Sequence, residues 1–464
     1  MRLEDYRYIY FLGIGGIGMS AIARWFHAKG FQVWGYDKTR TPLTEALEQE
    51  GISVHYEDDV ANLPQEILQD KENTLVILTP AIPAEHTEWN YLKAQDYTIK
   101  KRSEVLGIIT ANAFTIAVAG THGKTTTSSM VTHLLHHAGV DASAFLGGIA
   151  TNINSNLLIS KGEREQELVV VEADEYDRSF LTLFPDIAIV TSADPDHLDI
   201  YGDGEELIRT FKRFISQIKP GGYLLLNKNT DPRLTAQIQP GVHVIFYSLN
   251  SGDAHIQNLS IEGRWFRFDV QSPFHNIGSL SLGVPGFHNA ENVLAAILTT
   301  QILQVPEAQI RSGVETYSGV KRRFEFVYEG KGKVYIDDYA HHPKEIDAFM
   351  SSVRALYPDK QLKVIFQPHL FTRTRDFANE FAESLSKADE VVLLDIYPAR
   401  EKPIPGVTSN MLLERITCPK KSLISKAEIV DNLALNNDFE VLATIGAGDI
   451  DTLVQPIKNI LEKV

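Results

Sequence analysis

Residues 114–130 read FTIAVAGTHGKTTTSSM, and the order of residue types in this stretch predicts a strand, a turn and a helix. The apolar and β-branched run from Phe114 to Ala119 is typical of a strand buried on both faces. Gly120 and Gly123 then predict a tight turn, and the hydroxyl-rich run after Lys124 predicts the start of a helix. A strand, a glycine turn and a helix start together form an anion site, because backbone N–H groups and the helix dipole point at the ligand. The stretch therefore predicts a phosphate-binding loop in an α/β domain.

The loop is a shortened variant of the usual phosphate loop. The full pattern needs a glycine six positions before the lysine, and that position is Val118. Lys124 is predicted to reach the outer phosphates of a nucleotide, and the Thr125 hydroxyl to bind a Mg²⁺ ion that bridges them. The alternative is an ordinary glycine turn with a solvated lysine. The predicted nucleotide-binding residues here are Gly120, Thr121, His122, Gly123, Lys124, Thr125 and Thr126.

The composition bounds the classes of protein that fit. A chain of 464 residues predicts about three domains at the usual ~100–200 residues each. A formal net charge of −16 argues against a nucleic-acid binder, because such binding depends on neutralising phosphates. The single cysteine, Cys418, excludes an internal disulfide. No apolar run reaches ~18 residues and the first residues do not resemble a secretory signal, so we expect a cytoplasmic protein without membrane insertion.

The first residues predict a second nucleotide-binding turn. Tyr8 to Leu12 reads as a strand, a glycine-rich turn and a helix follow, and Phe31 to Tyr36 reads as the next strand. This order is the dinucleotide fingerprint, and Asp37 stands near where an acid that binds ribose is expected. The alternatives are a tight Rossmann-like turn without a ligand and an NAD-dependent oxidoreductase. The predicted ligand-binding residues are Gly13, Gly15, Gly16, Gly18 and Asp37.

Two acidic or polar clusters follow strands of the central region. The apolar run Leu168 to Val171 ends at Glu172, which predicts a metal ligand opposite Thr125 because strand ends face the ligand crevice of an α/β sheet. The run Ile187 to Thr191 precedes a loop that contains His197, whose neighbours are carboxylates. That arrangement suits a second divalent cation or a phosphate contact. Asp-Pro turn chemistry explains the carboxylates of this loop but not the histidine.

A pair of asparagines begins a predicted helix further along the chain. Asn289 and Asn292 are three residues apart, so they share one helix face. An asparagine amide both donates and accepts hydrogen bonds, which suits the edge of adenine. Helix capping by Asn289 is an equally good local explanation.

The last third of the chain repeats the pattern of polar residues after strands. Val334 to Ile336 precedes Asp338, Tyr339 and His341, and Leu362 to Phe366 precedes two arginines of the segment FTRTR. This placement predicts a binding face on a doubly wound sheet. His341 and its neighbour His342 point opposite ways on an extended chain, so we favour single hydrogen-bonding roles over a zinc site. The candidate basic residues are Arg323, at a predicted domain junction, and Arg373 and Arg375. The alternative for Arg373, Arg375 and Arg400 is that they lie on surface loops.

The motifs GIGGIGMS, GTHGKTT, EADE, DHLD, GFHNAEN, RRFE, DDYAHHPKEI, FQPH, RTR, AREKPIPG and GAGDI occur together and in this order. The chain thereby resembles the Mur ligase family of peptidoglycan synthesis along nearly its whole length. The resemblance implies an α/β fold of three domains. They are a Rossmann-like UDP-sugar-binding domain over residues 1–112, a central ATP-binding domain of the phosphate-loop type with a mixed or parallel sheet over 113–320, and a Rossmann-like C-terminal domain over 321–464 that receives the amino acid.

The resemblance also implies a reaction and the roles of residues. ATP and Mg²⁺ would activate the lactyl carboxylate of UDP-N-acetylmuramate as an acyl phosphate, and L-alanine would attack it. The first glycine turn would then hold a uridine diphosphate. Thr125, Glu172 and His197 would serve Mg²⁺, while Asn289, Asn292, Arg323 and Asp338 would bind ATP. Tyr339, His341 and Arg373 would lie near L-alanine, and the catalytic set would be Lys124, Glu172, His197, His341 and Arg373.

Other functions remain open from the sequence. The nearest alternative is the recycling ligase that joins a murein tripeptide to the same sugar nucleotide, and a folate polyglutamate ligase is more distant. From other classes, an NAD-dependent oxidoreductase and a non-catalytic nucleotide-sensing module are the alternatives. We expect a monomer or a weak homodimer.

Overall fold

A computed structural model describes residues 2–176, 178–194, 201, 203–399, 401–436 and 438–463. The chain forms two compact units. The first comprises Met1–Gln257, Val270–Gly278 and Glu291–Val314, and the second comprises Asn258–Asp269, Ser279–Ala290 and Glu315–Val464. Parallel strands alternate with helices in both units, which confirms the predicted α/β class.

The first unit begins with a five-stranded parallel sheet in the order β3-β2-β1-β4-β5. The central strand β1 is buried along its whole length, as its apolar sequence predicts. The strands are β1 (Tyr8–Leu12), β2 (Gln32–Tyr36), β3 (Ser53–His55), β4 (Thr74–Leu78) and β5 (Thr98–Lys101). The α-helices are Ile17–Ala28, Pro42–Gln49, Gln65–Gln69, Thr87–Ala94 and Arg102–Thr110, and the short 3₁₀ helices are Leu3–Asp5 and Val60–Asn62.

A second sheet of the first unit is organised around the strand that precedes the phosphate loop. This strand, β6 (Phe114–Ala119), pairs in parallel with β9 (Leu168–Ala173) on one side and β10 (Ile187–Val190) on the other. Consecutive strands in this part of the sheet run β12-β11-β10-β6-β9-β7-β8. The remaining strands are β7 (Ser143–Ala150), β8 (Ser155–Leu158), β11 (Tyr223–Asn227) and β12 (His243–Ser248), and only the β7–β8 pair of these seven is antiparallel.

Helices and further strands complete this stretch of the chain. Helix Lys124–His137 follows β6 directly, so its N-terminus lies at the carboxyl edge of the sheet. The other α-helices are Gly204–Ile215, Phe287–Ile302 and Glu307–Thr316, and the 3₁₀ helices are Ser179–Thr182 and Pro232–Gln237. The remaining strands are β13 (Ala254–Glu262), β14 (Trp265–Gln271) and β15 (Ile277–Leu282).

The second unit contains a six-stranded sheet in the order β16-β17-β21-β18-β19-β20. Only the β16–β17 pair is antiparallel. The strands are β16 (Glu325–Gly330), β17 (Lys333–Asp338), β18 (Leu362–Phe366), β19 (Glu390–Leu393), β20 (Lys420–Leu423) and β21 (Val441–Ile445). The α-helices are Pro343–Leu356, Phe371–Asp376, Ala378–Leu385, Ser409–Leu413, Ile429–Leu435 and Val454–Lys463, with 3₁₀ helices Lys426–Glu428 and Asp449–Leu453. Apolar clusters fill both faces of this sheet.

The strands carry the candidate residues at their carboxyl ends, as the sequence predicts. Strand β9 continues two residues past the predicted end, so Glu172 lies within the strand and not just after it. In the described part of the chain, no helix combines the length and the apolar character that a membrane span requires.

Candidate active site

The phosphate loop has the backbone that its two glycines predict. Gly120 has a φ of +141° and Gly123 a φ of +81°, and Gly123 is the N-cap residue of helix Lys124–His137. A Cβ atom on Gly123 would also lie 2.9 Å from Oδ1 of Asn292, so a side chain there would meet both strain and a close neighbour. No described side chain caps this helix. The start of the helix therefore has the features of an anion site.

The end of β10 holds the loop in place. The hydroxyl of Ser192 accepts a hydrogen bond from the His122 N–H at 2.8 Å and lies 3.0 Å from the Thr121 hydroxyl. The Thr121 hydroxyl in turn accepts the Asp194 N–H at 3.1 Å, and the Thr191 hydroxyl donates to the His122 carbonyl. These contacts fix the turn at both of its central residues.

Lys124 is engaged with a buried carboxylate. Its ammonium donates to both carboxylate oxygens of Glu175, at 2.7 and 2.9 Å, and to the Gly120 carbonyl at 2.7 Å. The Glu175 side chain has no exposed surface. Burial lowers the pKa of Lys124, but the negative charges of Glu175, Asp174 and Glu172 outweigh that effect and raise it above its usual value. Lys124 is therefore a fixed positive charge at the loop.

Thr125 and Glu172 meet as the sequence predicts. The Thr125 hydroxyl donates to Oε2 of Glu172 at 2.8 Å, and the same oxygen accepts the Gly147 N–H at 2.9 Å. A Cβ atom on Gly147 would lie 2.2 Å from this oxygen, so only glycine lets the carboxylate sit there. The described residues contain no group of three His, Cys, Asp or Glu side chains that could hold a metal ion by themselves. The third predicted metal residue, His197, lies outside the described residues.

The glycine turn after β1 uses Asp37 in its own structure. Oδ2 of Asp37 accepts the Gly15 N–H at 2.7 Å, and Oδ1 accepts the Thr39 N–H at 3.1 Å. Gly13 has a φ of +87°, and Gly16 is the N-cap of helix Ile17–Ala28. The Asp37 carboxylate therefore stabilises the turn that was predicted to bind a ligand. A contact between Asp37 and a ribose would be a second role for this carboxylate.

A guanidinium stands beside the same turn. A Cβ atom on Gly18 would lie 3.0 Å from one terminal nitrogen of Arg102, and that arginine forms an ion pair with Asp174 at 3.8 Å. We assign no role to Arg102 from the sequence, because charge runs such as residues 100–102 are usually solvated surface.

The two asparagines of helix Phe287–Ile302 differ in their surroundings. The helix begins two residues earlier than predicted, so Asn289 is its third residue and not its cap. The Asn289 amide donates to the Pro285 carbonyl at 2.7 Å, which an N-cap side chain, an acceptor, would not do. In the first unit, Asn292 is buried and its amide oxygen faces Gly123 of the phosphate loop.

In the second unit, Asp338 holds the backbone just before β16 and just after β17. One of its oxygens accepts the Phe324 N–H and the other the Ala340 N–H, both at 2.7 Å. Burial raises the pKa of Asp338 to about 6, although the Arg323 charge and these two hydrogen bonds act in the opposite direction. Asp338 thus fixes the backbone of the residues that directly follow Arg323 and Tyr339.

Arg323, Tyr339 and His341 form one cluster around Glu345. The Arg323 guanidinium lies 5.0 Å from the centroid of the Tyr339 ring and 4.0 Å from Oε1 of Glu345. Oε2 of Glu345 accepts the N–H groups of His341 at 3.0 Å and His342 at 3.2 Å. The cluster brings together three residues that were predicted as site residues from separate parts of the sequence.

His341 is neutral in this cluster. Burial lowers its pKa to about 3, assisted by the charges of Arg373 and Arg323 and opposed by that of Glu345. Its Nδ1 atom lies 3.1 Å from the Tyr339 carbonyl and 3.4 Å from Oε2 of Glu345. Because both neighbours are acceptors, Nδ1 carries the proton and Nε2 is the acceptor nitrogen of the ring.

The two candidate arginines of the segment after β18 differ in burial. Arg373 is only 9% exposed, whereas Arg375 is exposed and pairs with its neighbour Asp376 at 2.6 Å. The His369 ring lies between those of His341 and Tyr397, with centroids 6.0 and 5.8 Å away. The structure thus favours Arg373 over Arg375 as a binding residue.

Sequence reasoning assigned no role to several residues that shape these clusters. Three of these residues are hydrogen-bonding or ionic partners of candidate residues: Glu175, Ser192 and Glu345. Each lies within or beside a motif. The sequence indicates them only as acidic or hydroxyl residues near the end of a strand or the start of a helix. Gly147 carries no signal beyond being a glycine in a strand. His288 lies within GFHNAEN; its Nδ1 atom is buried and has no hydrogen-bond partner in the described residues. Burial, with Arg323 nearby, lowers the pKa of His288 to about 4.

Three family models together match most of the chain. The Mur ligase family catalytic domain matches residues 8–114, the Mur ligase middle domain matches 118–300, and the Mur ligase glutamate ligase domain matches 322–450. These matches cover most of the chain. The chain belongs to the Mur ligase family, and it is an ATP-dependent ligase.

Relatives along the whole chain share one name. A UDP-N-acetylmuramate–L-alanine ligase of Cytophaga hutchinsonii is 46% identical over 463 residues, which are 100% of this chain and 98% of that protein. One of Flavobacterium psychrophilum is 48% identical over 463 residues, which are 100% of each. The solved UDP-N-acetylmuramate–alanine ligase of Thermotoga maritima is 27% identical with a TM-score of 0.81, covering 98% of this chain and 99% of that one.

A second solved structure shows how widely the fold is shared. A murein peptide ligase of Psychrobacter arcticus has a TM-score of 0.71 at 21% identity and covers 99% of each chain, which is a likeness of fold alone. The family assignment overturns the oxidoreductase alternative, because the glycine turn after β1 belongs to a ligase.

Proposed function

We propose that this chain joins L-alanine to the lactyl carboxylate of UDP-N-acetylmuramate, converting ATP to ADP and phosphate, in peptidoglycan precursor synthesis. The observation that carries the substrate assignment is the 46–48% identity, over the whole chain, to proteins named for this reaction. The phosphate loop with Lys124 supports the nucleotide part.

The chemistry explains why a triphosphate is needed. A carboxylate is a poor electrophile because attack on it adds charge to an anion. Transfer of the γ-phosphoryl group to the lactyl carboxylate releases ADP and gives an acyl phosphate, whose phosphate is a good leaving group. The neutral amine of L-alanine attacks the acyl carbon, the tetrahedral intermediate expels phosphate, and the amine loses a proton as the amide forms.

The residues of the loop supply positioning and positive charge. Phosphoryl transfer depends mainly on these two effects, because the transition state spreads negative charge over the phosphoryl oxygens. The loop N–H groups and the start of helix Lys124–His137 would hold the phosphates. The Lys124 ammonium would exchange part of its contact with Glu175 for a phosphate oxygen. Asn289, Asn292, Arg323 and Asp338 complete the proposed ATP-binding set.

The donor set at Thr125 and Glu172 fits a Mg²⁺ ion. One hydroxyl and one carboxylate oxygen 2.8 Å apart are hard ligands, and Mg²⁺ in such sites takes one or two protein ligands besides phosphate oxygens and water. We propose His197 as a third group of this site. A bound Mg²⁺ would neutralise phosphate charge during the transfer.

The amino acid would lie at the cluster of the second unit. Arg373 is the buried cation for its carboxylate, and the Nε2 atom of His341 is an acceptor suited to its amine. Tyr339 and Arg375 belong to the same proposed set. The glycine turn of Gly13, Gly15, Gly16 and Gly18 would hold the uridine diphosphate, with Asp37 fixing its shape. The domain limits 1–112, 113–320 and 321–464 and a monomer or weak homodimer remain parts of this proposal.

Phosphate release tests the function. Purified protein, ATP, Mg²⁺ and UDP-N-acetylmuramate would be assayed with L-alanine, L-serine, glycine and the tripeptide L-Ala-γ-D-Glu-diaminopimelate. We expect release that depends on L-alanine and on the sugar nucleotide together. Phosphate release that occurs with the tripeptide and not with the single amino acids would indicate a recycling ligase. ATP binding without substrate-dependent phosphate release would indicate a nucleotide sensor.

A further inference from the structure

The carboxylate of Glu345 connects two parts of the second unit that carry different proposed roles. Oε1 lies 4.0 Å from the Arg323 guanidinium, which belongs to the proposed ATP set. Oε2 accepts the N–H groups of His341 and His342, in the turn that carries the proposed amino-acid residue. Each oxygen thus serves a different partner.

The position of Glu345 explains how it reaches both. It is the third residue of helix Pro343–Leu356, and with His342 it forms a capping box in which each side chain accepts the other's backbone N–H. A capping box requires only an acceptor at this position, and glutamine meets that requirement as well as glutamate. The contact with Arg323 requires a negative oxygen, which glutamine lacks.

Arg323 has a second partner, the ring of Tyr339. Its guanidinium lies over the Tyr339 ring, and the Arg322 guanidinium lies 5.2 Å from the same centroid. Arg322 is itself held by the buried carboxylate of Asp337, at 3.1 Å. The ring therefore attracts two guanidinium groups, and Glu345 is the carboxylate that draws Arg323 toward the His341 turn.

We propose that Glu345 is a positioning residue that ties the Arg323 guanidinium to the backbone turn of His341, and thereby sets the phosphate-binding and amino-acid-binding groups of the second unit relative to each other. This inference rests on the proposed function for the roles of Arg323 and His341. The interaction between Glu345 and Arg323 does not depend on the proposed function, and it can be measured without substrates.

Two variants separate the tie from helix capping. Glu345→Gln keeps the oxygen that accepts the His341 and His342 N–H groups and replaces the oxygen near Arg323 by an NH₂ group. Glu104→Gln is the matched control, because Glu104 is the third residue of helix Arg102–Thr110 and accepts the backbone N–H of the N-cap residue Lys101 at 2.8 Å, as Glu345 accepts that of His342. Both variants lose one carboxylate charge at the same helix position.

The first measurement is the ¹⁵N–¹H resonance of the Arg323 Nε–H in the full chain without substrates, assigned by its loss in Arg323→Ala. We expect a clear shift or broadening in Glu345→Gln and none in Glu104→Gln. An Arg323 resonance that is the same in wild type and Glu345→Gln would overturn the tie, whatever the reaction of the protein is.

The second measurement is steady-state phosphate release. We expect Glu345→Gln to lower kcat by about tenfold or more, with a smaller change in the KM for UDP-N-acetylmuramate, and Glu104→Gln to stay near wild type. In an Arg323→Ala background, Glu345→Gln should add almost no further loss, because the two side chains act as one unit. Independent, additive losses would overturn the inference. A wild-type chain without ligase activity would refute the proposed function. The resonance measurement would still test the interaction between Glu345 and Arg323.

Discussion

The ammonium of Lys124 and the carboxylate of Glu175 form a buried ion pair, with Nζ 2.7 and 2.9 Å from the two carboxylate oxygens. The loop lysine thus has a protein anion as its partner. A buried pair of this kind loses stability when one partner is removed, because the other charge then lies in a medium of low polarity. Lys124 therefore contributes to the fold as well as to the proposed reaction, and the two contributions are separable.

Replacing Lys124 by alanine should affect turnover and stability together. We expect phosphate release to fall by at least about 100-fold, because a charge that stabilises the transferred phosphoryl group contributes roughly 3 kcal/mol or more. We also expect the free energy of unfolding to fall by roughly 3 kcal/mol, because Glu175 loses its ammonium partner. Kinetics and urea unfolding measure the two effects.

A double variant separates the two effects. Lys124→Met with Glu175→Gln removes both charges and keeps similar volumes, so much of the lost stability should return while turnover stays low. A double variant with turnover close to that of the wild type would show that the lysine serves only the fold.

Removal of the metal ion should abolish the reaction and expose the role of Thr125. We expect a chelator to stop phosphate release and added Mg²⁺ to restore it. Thr125→Val keeps the shape and removes the hydroxyl that contacts Glu172, so it should raise the Mg²⁺ concentration needed for half-maximal activity by about tenfold or more.

Thr132→Val is the control for Thr125→Val. Thr132 lies in the same helix, and its hydroxyl donates to the Ser128 carbonyl at 2.7 Å, away from Glu172. An equal change in Mg²⁺ requirement in both variants would contradict the proposed metal role.

Gly147→Ala should displace the Glu172 carboxylate. The new Cβ atom would lie 2.2 Å from Oε2, a distance that no real contact allows, so the side chain must move away from Thr125. We expect a raised Mg²⁺ requirement similar to that of Thr125→Val, measured in the same assay. Gly139→Ala is the control. Its Cβ atom meets nothing within 4 Å, and the strain of an alanine at its φ of +74° lies beyond the far end of helix Lys124–His137, so it should leave the Mg²⁺ requirement unchanged.

The sequence predicts the strands that precede the binding residues better than it predicts the partners of those residues. Strands β1, β4, β6, β18 and β21 begin and end where their largely apolar runs do, because burial on both faces selects apolar side chains along the strand. Lys363 in β18 is the exception, a buried lysine that pairs with Glu390. The neighbour β7 has no such run, since its last part contains Gly147 and Gly148. Strand β7 packs against Glu172 because β7 and β9 are neighbours in the sheet. A local sequence pattern does not reveal which strands are neighbours.

The contacts of charged residues were likewise beyond local patterns. Thr125 and Glu172 were predicted to be opposite each other because strand ends face the ligand crevice of an α/β sheet. Nothing in the sequence indicates that Lys124 pairs with Glu175, that Asp37 fixes the turn of Gly15, or that Glu345 lies between Arg323 and His341. These pairings depend on side-chain directions at the edge of a folded sheet.

Glu88 in the first unit should make stability depend on pH. Burial raises its pKa from the usual range to about 7, against the hydrogen bond that Tyr10 donates to it. The folded state then keeps a proton that the unfolded state has lost between about pH 4.5 and 7, so stability falls as the pH rises through that window.

Glu88→Gln should remove most of this dependence. Relative to the variant, the wild type should lose on the order of 3 kcal/mol of unfolding free energy between pH 5 and pH 8. Urea unfolding at four pH values measures it, and parallel pH curves for the two proteins would contradict the raised pKa.

A crystal structure of the full chain with a non-hydrolysable ATP analogue and Mg²⁺ tests whether the loop of residues 120–126 binds the triphosphate. We expect the β- and γ-phosphates against the N–H groups of residues 120–126, with a γ-phosphate oxygen within hydrogen-bonding distance of Lys124 Nζ and the metal ion at Thr125 and Glu172. An analogue bound elsewhere, with Lys124 still paired only to Glu175, would contradict it.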